Sequence, residues 1–162
     1  MSVPQLQQFE HIWETEIQKG NCFFRSSAFP EAYPHYLEAM MASEVLMENN
    51  STSWKYALLV PGMYYTACIN IAHNYWGMED IKNAADYFLY CTYKLKMFAE
   101  KEGIDNLLKQ TAWVYWLKAV HLYGAFSEKT GIPMPADMDK DDTYLQINKL
   151  KDLFSLRKEN MN

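Results

Sequence analysis

The sequence predicts an all-α protein of about six helices. Apolar residues recur at three- and four-residue intervals over most of the 162 residues, as they do along one face of a helix. No segment shows a convincing alternation of apolar and polar residues, which would predict a β-strand. Only six glycines and six prolines interrupt the chain, which leaves little room for disorder. We therefore expect one helical domain covering residues 1–162.

The first two helices are predicted to form a hairpin over residues 4–48. The first runs from about Pro4 to Arg25, and its apolar face holds Leu6, Phe9, Trp13, Ile17 and Phe24. A turn follows, in which Pro30 suits the first turn of the next helix. The second helix reaches about Met47, with Ala32, Tyr36, Ala39 and Ser43 on one stripe.

The start of the third helix has two possible positions. Ser53 could cap a helix that begins at Trp54 and is kinked at Pro61, or Pro61 could itself open the helix. Under either alternative one face holds Tyr65, Cys68, Ile69, Ala72 and Tyr75. This helix begins a second hairpin, over residues 54–102.

Aspartates mark the start of the next two helices. Asp80 can cap the fourth helix, which ends near Gly103, and Asp105 can cap the fifth. The segment Gly131–Pro135 cannot continue a helix. A sixth helix from about Asp139 completes a third hairpin, over residues 105–158, and carries Leu150, Leu153 and Phe154.

The first two hairpins form an internal repeat. When the chain is shifted by 52 residues, residues of similar size and polarity coincide in both helices of each pair. The main pairs are Trp13/Tyr65, Ile17/Ile69, Gly20/Ala72, Phe23/Tyr75, Ala32/Ala84, Tyr36/Phe88 and Ala39/Cys91. Small residues allow two antiparallel helices to approach, and the rings fill the space beside them. Since one such hairpin cannot bury its apolar face alone, the hairpins should stack.

The spacing of Gly20, Ala32, Tyr36 and Ala39 resembles that of the tetratricopeptide (TPR) repeat, and Asp80 matches its polar turn residue. The resemblance implies antiparallel hairpins stacked as a short right-handed superhelix. It covers about residues 13–47 and 65–99. The period is longer than the usual length of about 34 residues, the usual proline after the second helix is absent, and the third hairpin does not fit the repeat.

The resemblance also implies a groove lined by the first helix of each hairpin. The corresponding residues are Asn21, Phe24, Arg25, Thr66, Asn70, His73 and Trp76. TPR grooves that bind carboxylates place lysines where this chain has Ile17 and Thr66, so we expect an apolar groove that binds a helix or an extended peptide. The implied function is non-catalytic protein binding, as an adaptor, an assembly factor or a dedicated chaperone. The alternative is a helical bundle that binds a small ligand or a metal, possibly as an enzyme.

The composition argues against several other classes of function. A net charge of −5 argues against nonspecific nucleic-acid binding, which needs clustered cations. The start lacks the features of a secretory signal, and no apolar run is long enough for a membrane span. Three cysteines without CxxC spacing are typical of reduced thiols in the cytoplasm. The 12 Tyr, 8 Phe and 5 Trp either fill a core or line an interface, including a self-association face.

No metal, cofactor or catalytic site is predicted. His11 with Glu14, and Glu31 with His35, are isolated pairs, whereas metal sites need several convergent ligands. Residues 137–142 begin like a calcium loop but lack its glycine and its final glutamate. Cys68 and Cys91 could lie close together across the second hairpin as buried thiols.

Overall fold

The protein is a stack of antiparallel helices. The computed structural model describes residues 2–49 and 54–138, apart from the side chains of Trp54 and Asp137. The helices are α1 Val3–Arg25, α2 Phe29–Glu48, α3 Trp54–Gly77, α4 Ile81–Glu100 and α5 Asn106–Thr130, followed by a 3₁₀ turn, Ala136–Met138. The prediction of an all-α fold of stacked hairpins is confirmed, and no strand occurs in these ranges. The predicted sixth helix and the residues of the calcium-like segment from Asp139 onward lie outside the described residues.

Side-chain hydrogen bonds and backbone conformation determine where the helices begin and end. The Asp80 carboxylate accepts a hydrogen bond from the Asn83 backbone N–H at 3.2 Å, and that of Asp105 accepts from Leu107 at 2.8 Å. α5 ends at Thr130, and the next residue, Gly131, has a φ of 75°, the left-handed conformation that glycine adopts readily. α3 begins at Trp54, so Pro61 lies inside the helix and does not open it, and Ser53, the predicted cap, lies outside the described residues.

α3 is the central element of the stack. Each helix packs against the next along the chain, and α3 also contacts α1 and α5. The small residues of the repeat lie within these contacts. Gly20 faces the buried ring of Tyr36 so closely that an added Cβ would lie 2.6 Å from Cε1 of that ring. The members of the pairs Ala32/Ala84, Tyr36/Phe88 and Ala39/Cys91 are all buried.

A buried glutamate joins the first two helices. Glu16 Oε1 accepts a hydrogen bond from Lys19 Nζ at 2.6 Å, and its Oε2 lies 2.5 Å from Nδ1 of His35 on α2. The pKa of Glu16 lies below its ordinary value of 4.5, mainly because of the Lys19 hydrogen bond. Burial opposes this shift, and the His35 contact adds to it. His35 therefore pairs with α1 and not with Glu31 of its own helix.

Replacing Glu16 should weaken the fold and flatten its acid dependence. A lowered pKa in the folded state means that the carboxylate stabilises the protein above pH 4.5, and that this contribution is lost as the pH falls through the folded pKa. We expect Glu16→Gln to lower the free energy of unfolding at neutral pH by about 1 kcal/mol. Urea unfolding of both proteins at several pH values would check this. If the wild type and Glu16→Gln lost the same free energy of unfolding as the pH falls, this expectation would be contradicted.

Candidate partner-binding groove

One face of α3 lies between α1 and α5, and residues of all three helices line a pocket on it. α1 and α3 point the same way, since Glu10 meets Lys55 near the start of α3 and Asn21 meets Asn70 farther along. α5 also points that way, since Tyr115 meets Tyr65 and Phe126 meets Trp76. This face of α3 carries Leu58, which is exposed, and the half-buried residues Gly62, Thr66, Asn70 and His73, spaced by four, four, four and three residues. At 1.5 Å per residue this stripe is about 22 Å long. It forms the floor of what we call the α3 groove.

One end of the α3 groove is a mostly apolar pocket of about 230 Å³, whose lining also includes Glu10 and Glu14. Its floor includes Leu58 and Leu59, whose side chains are 43% and 42% exposed. Trp13 of α1 forms one wall, and its Nε1 donates to the Met63 carbonyl oxygen at 3.0 Å. Tyr115 of α5 forms another. Large apolar surfaces left in contact with water are costly, so this end favours an apolar partner side chain.

Gly62 shapes this pocket. A Cβ added at Gly62 would lie 2.6 Å from the Tyr115 hydroxyl oxygen, so the Tyr115 ring approaches the backbone of α3 closely. The ring also contacts Tyr65 at 5.4 Å between centroids, and Lys118 Nζ lies 4.6 Å from its centroid. Tyr115 is therefore held in place by α3 on one side and by its own helix on the other.

The middle of the groove contains two amides. Asn21 Oδ1 accepts hydrogen bonds from the Tyr36 hydroxyl at 2.9 Å and from Asn70 Nδ2 at 3.4 Å. Burial raises the pKa of Tyr36 to about 12, so its hydroxyl remains a donor at neutral pH. Within the described ranges, Asn21 Nδ2 and Asn70 Oδ1 make no side-chain hydrogen bond. They present one donor and one acceptor, which together match a peptide group of a partner.

The far end of the groove is aromatic and is partly built into the core. The His73 ring lies 5.7 Å from that of Phe88, and Trp76 meets Phe126 of α5 edge to face at 5.1 Å. Burial lowers the pKa of His73, which keeps its imidazole neutral to lower pH. Trp76 therefore helps to attach α5 to α3, so truncating it would disturb the stack as well as the groove.

The structure brings together most of the residues predicted from the sequence. Thr66 lines the apolar pocket, and Asn21 and Asn70 bond to each other. Phe24 instead packs against Phe29 within its own hairpin, at 5.3 Å between ring centroids, and Arg25 is exposed at the end of α1.

Sequence reasoning missed the apolar end of the groove. Its residues on α3 could have been found by extending the predicted stripe backward from Thr66 in steps of four, to Gly62 and Leu58. No sequence pattern pointed to Tyr115 as part of the groove, because the third hairpin does not follow the repeat.

Charge is distributed unevenly along the groove. Glu10 and Glu14 border the apolar pocket, and Glu10 also contacts Lys55 at 2.8 Å. At the other end Arg25 is exposed and Lys129 Nζ lies 5.6 Å from the Trp76 ring centroid. Lys55 neutralises Glu10, so Glu14 is the acidic residue left at the pocket end, whereas Arg25 and Lys129 make the other end basic.

No other chemistry stands out in the part of the chain that the structure describes. These residues contain no cluster of three or more His, Cys, Asp or Glu that could hold a metal ion. Cys68 and Cys91 are neighbouring buried thiols, and burial raises the pKa of Cys91, which makes its thiol a poor nucleophile. None of the helices in residues 2–49 and 54–138 combines the length and apolar character of a membrane span.

Comparison with known proteins gives a family but no function. The family described as "Protein of unknown function (DUF2753)" matches residues 11–122, which include α2 to α4 and most of α1 and α5. No curated protein and no solved structure matches the chain.

Proposed function

The chain belongs to the DUF2753 family of proteins of unknown function, and we propose that it is a non-catalytic module that binds another protein. The α3 groove would hold a helix or an extended peptide of the partner, as the groove of a TPR protein does. Such a module would serve as an adaptor, an assembly factor or a dedicated chaperone. The observation that carries the proposal is the apolar pocket at Leu58 and Leu59, which α1, α3 and α5 build together.

The groove offers the features that a bound segment needs. Apolar side chains at one end would supply most of the binding energy, since buried apolar and aromatic contacts dominate protein interfaces. The amides of Asn21 and Asn70 would fix the partner backbone in the middle. The uneven charge would orient the partner, with basic residues near Glu14 and acidic residues near Arg25 and Lys129.

The cysteines favour a reducing compartment for this function. Cys22 is an exposed free thiol, and Cys68 and Cys91 remain unpaired although they are neighbours. Proteins in the cytoplasm keep such thiols reduced. We therefore place this function in the cytoplasm.

Thr66→Arg should remove binding. The substitution puts a long charged side chain into the pocket, and we expect the dissociation constant to rise at least about tenfold, as for loss of a central interface contact. Gln8→Arg is the matched control, because it also exchanges a neutral polar residue for arginine. Gln8 is exposed and lies two residues before Glu10, on the far side of α1 from the groove.

The experiment has two steps. The tagged wild type, Thr66→Arg and Gln8→Arg proteins are used side by side to capture partners from extracts of the source cells, and the captured proteins are quantified by mass spectrometry. A protein lost only with Thr66→Arg is then purified and titrated. Equal affinity for wild type and Thr66→Arg would exclude the α3 groove as the binding site. Sedimentation over a concentration series would show whether the partner is a second copy of the chain.

A further inference from the structure

A second concave surface lies on the side of α3 opposite the α3 groove. It is a cleft of about 470 Å³ between α2 and α4, with Tyr64 of α3 at its bottom. Tyr64 lies two residues from both Gly62 and Thr66, so its side chain leaves α3 on the side away from the α3 groove. Met47 of α2 and Phe98 of α4 line the cleft with apolar surface.

Exposed apolar side chains surround the opening of this cleft. Met97 of α4 belongs to the lining, and 68% of its surface is exposed. Met41 of α2 is 57% exposed and lies about one turn before Glu44, another residue of the lining. The Tyr90 hydroxyl of α4 donates to Glu44 Oε1 at 2.9 Å, which connects the two helices across the same surface. Exposed apolar surface of this kind is typical of an interaction site. We call it the α2–α4 face, formed by Met41, Glu44, Met47, Glu48, Tyr90, Lys94, Met97, Phe98, Glu100 and Lys101.

The charges on the α2–α4 face are of both signs. The lining of the cleft carries Glu44, Glu48 and Glu100 against Lys94 and Lys101, so its net charge is −1. Lys94 Nζ lies 3.7 Å from Glu44 Oε1, whereas Glu100 and Lys101 make no ion pair within the described ranges. A partner with charges of one sign only, such as a nucleic acid or a polybasic peptide, would meet like charges here. A second surface with the same mixed pattern can instead place its lysines against these glutamates, and a second copy of the chain has that surface.

The α2–α4 face is also complementary to itself in shape. An exposed methionine stands beside an open apolar cleft, so two copies related by a two-fold axis can each insert Met97 into the cleft of the other. Methionine suits this role because its unbranched side chain adapts to an irregular cavity.

The face is large enough for a specific interface. α2 and α4 have 20 residues each, so they are about 30 Å long and together about 20 Å wide. This corresponds to about 600 Å² for each copy, the lower end of the range for specific protein interfaces.

We propose that two copies of this chain associate through their α2–α4 faces about a two-fold axis, with Met97 of each copy seated in the cleft of the other. The contact covers the exposed side chains of Met41 and Met97 and brings Lys101 close to glutamates of the second copy. The α3 grooves lie on the other side of the helices, so both grooves stay open in the pair. A partner with two binding segments would therefore bind the pair more tightly than a single copy. That last consequence rests on the proposed function of the groove, whereas the association itself does not.

Sedimentation of the full-length protein over a concentration series tests the proposal. We expect the wild type to change from one copy to two as its concentration rises. Met97→Glu puts a charge where the cleft is apolar, and we expect it to raise the dissociation constant of the pair at least about tenfold. Val3→Glu is the matched control, because it also replaces an exposed apolar side chain by glutamate, at the start of α1. It should associate as the wild type does, and circular dichroism should show wild-type helix content for both variants.

Several outcomes would overturn the proposal. The wild type could stay a single copy at every concentration, Met97→Glu could associate as strongly as the wild type, or Val3→Glu could weaken association equally. Thr66→Arg lies on the other side of α3 and should associate normally. If Thr66→Arg removed association and Met97→Glu did not, the copies would meet through the α3 groove, and the proposal would be wrong. Loss of partner binding in Thr66→Arg tests the groove alone.

A second measurement locates the contact. Dilute hydrogen peroxide converts exposed methionines to the sulfoxide, and mass spectrometry gives the rate at each methionine. We expect the rates at Met41 and Met97 to fall several-fold between concentrations at which the wild type is single and those at which it is paired. In Met97→Glu the rate at Met41 should be the same at both concentrations. Equal rates at both concentrations in the wild type would place the contact elsewhere and overturn the proposal.

Discussion

Phe88→Ala should lower the free energy of unfolding by about 3–5 kcal/mol, the range for truncating a buried phenylalanine. Phe88 is fully buried, and its ring centroid lies 4.8 Å from that of Phe126 and 5.7 Å from that of His73. It thus joins α4 to both α3 and α5, and alanine would leave a cavity at the meeting point of three helices. Small domains are stable by only about 5–15 kcal/mol, so a large part of the total would be lost.

Urea unfolding followed by circular dichroism would measure this loss. Phe23→Ala is the matched control, because Phe23 is 37% exposed and its main ring contact is stacking on His35 at 5.4 Å. We expect it to cost about 1–2 kcal/mol, since it loses one aromatic pair and a smaller buried area than Phe88→Ala. Similar losses for the two variants would show that Phe88 is not a centre of the core.

Gly20→Ala should also destabilise the protein, although alanine favours a helix over glycine by about 1 kcal/mol. The added Cβ would lie 2.6 Å from the Tyr36 ring, and that ring is buried and bonded to Asn21. We expect a net loss of about 1–3 kcal/mol, as for other overpacked sites. Displacing Tyr36 would also break its hydrogen bond to Asn21, so partner binding in the α3 groove should weaken.

Gly124→Ala is the control for this substitution. Gly124 also lies inside a helix, but a Cβ there would meet only Met134 Sδ, at the ordinary contact distance of 3.5 Å. It should leave stability unchanged or raise it by up to about 1 kcal/mol. Urea unfolding of both variants gives the comparison. If Gly20→Ala were as stable as Gly124→Ala, the close approach of α1 and α2 would not depend on Gly20.

The helices could be predicted because their signals are local. Asp80 and Asp105 cap their helices by bonding backbone groups two or three residues away, and Gly131 ends α5 through its own φ angle. α4 was the exception, since it ends at Glu100 and not near Gly103. The sequence did not decide where α3 begins, because Pro61 is compatible with both alternatives and only packing distinguishes them.

The site was harder to predict because its contacts cross between helices. The comparison with a TPR groove selected both Asn21 and Asn70, and the two side chains are in contact, although they are not corresponding positions of the 52-residue repeat. It gave no information about Tyr115, which belongs to a hairpin outside the repeat. His35 was compared with Glu31 on the same helix, whereas its partner Glu16 comes from α1. Spacing along one helix cannot reveal such a pair.

The central position of α3 has a consequence for how the chain folds during synthesis. Each helix packs mainly against its predecessor, so most contacts join residues that are close in sequence, and helical proteins of this kind fold in milliseconds or less. α1 and α2 can pair as soon as they emerge from the ribosome, but they gain their main neighbour only when α3 is complete at Gly77. We therefore expect nascent chains halted before α3 to be protease-sensitive, and chains extended past it to acquire protection one helix at a time.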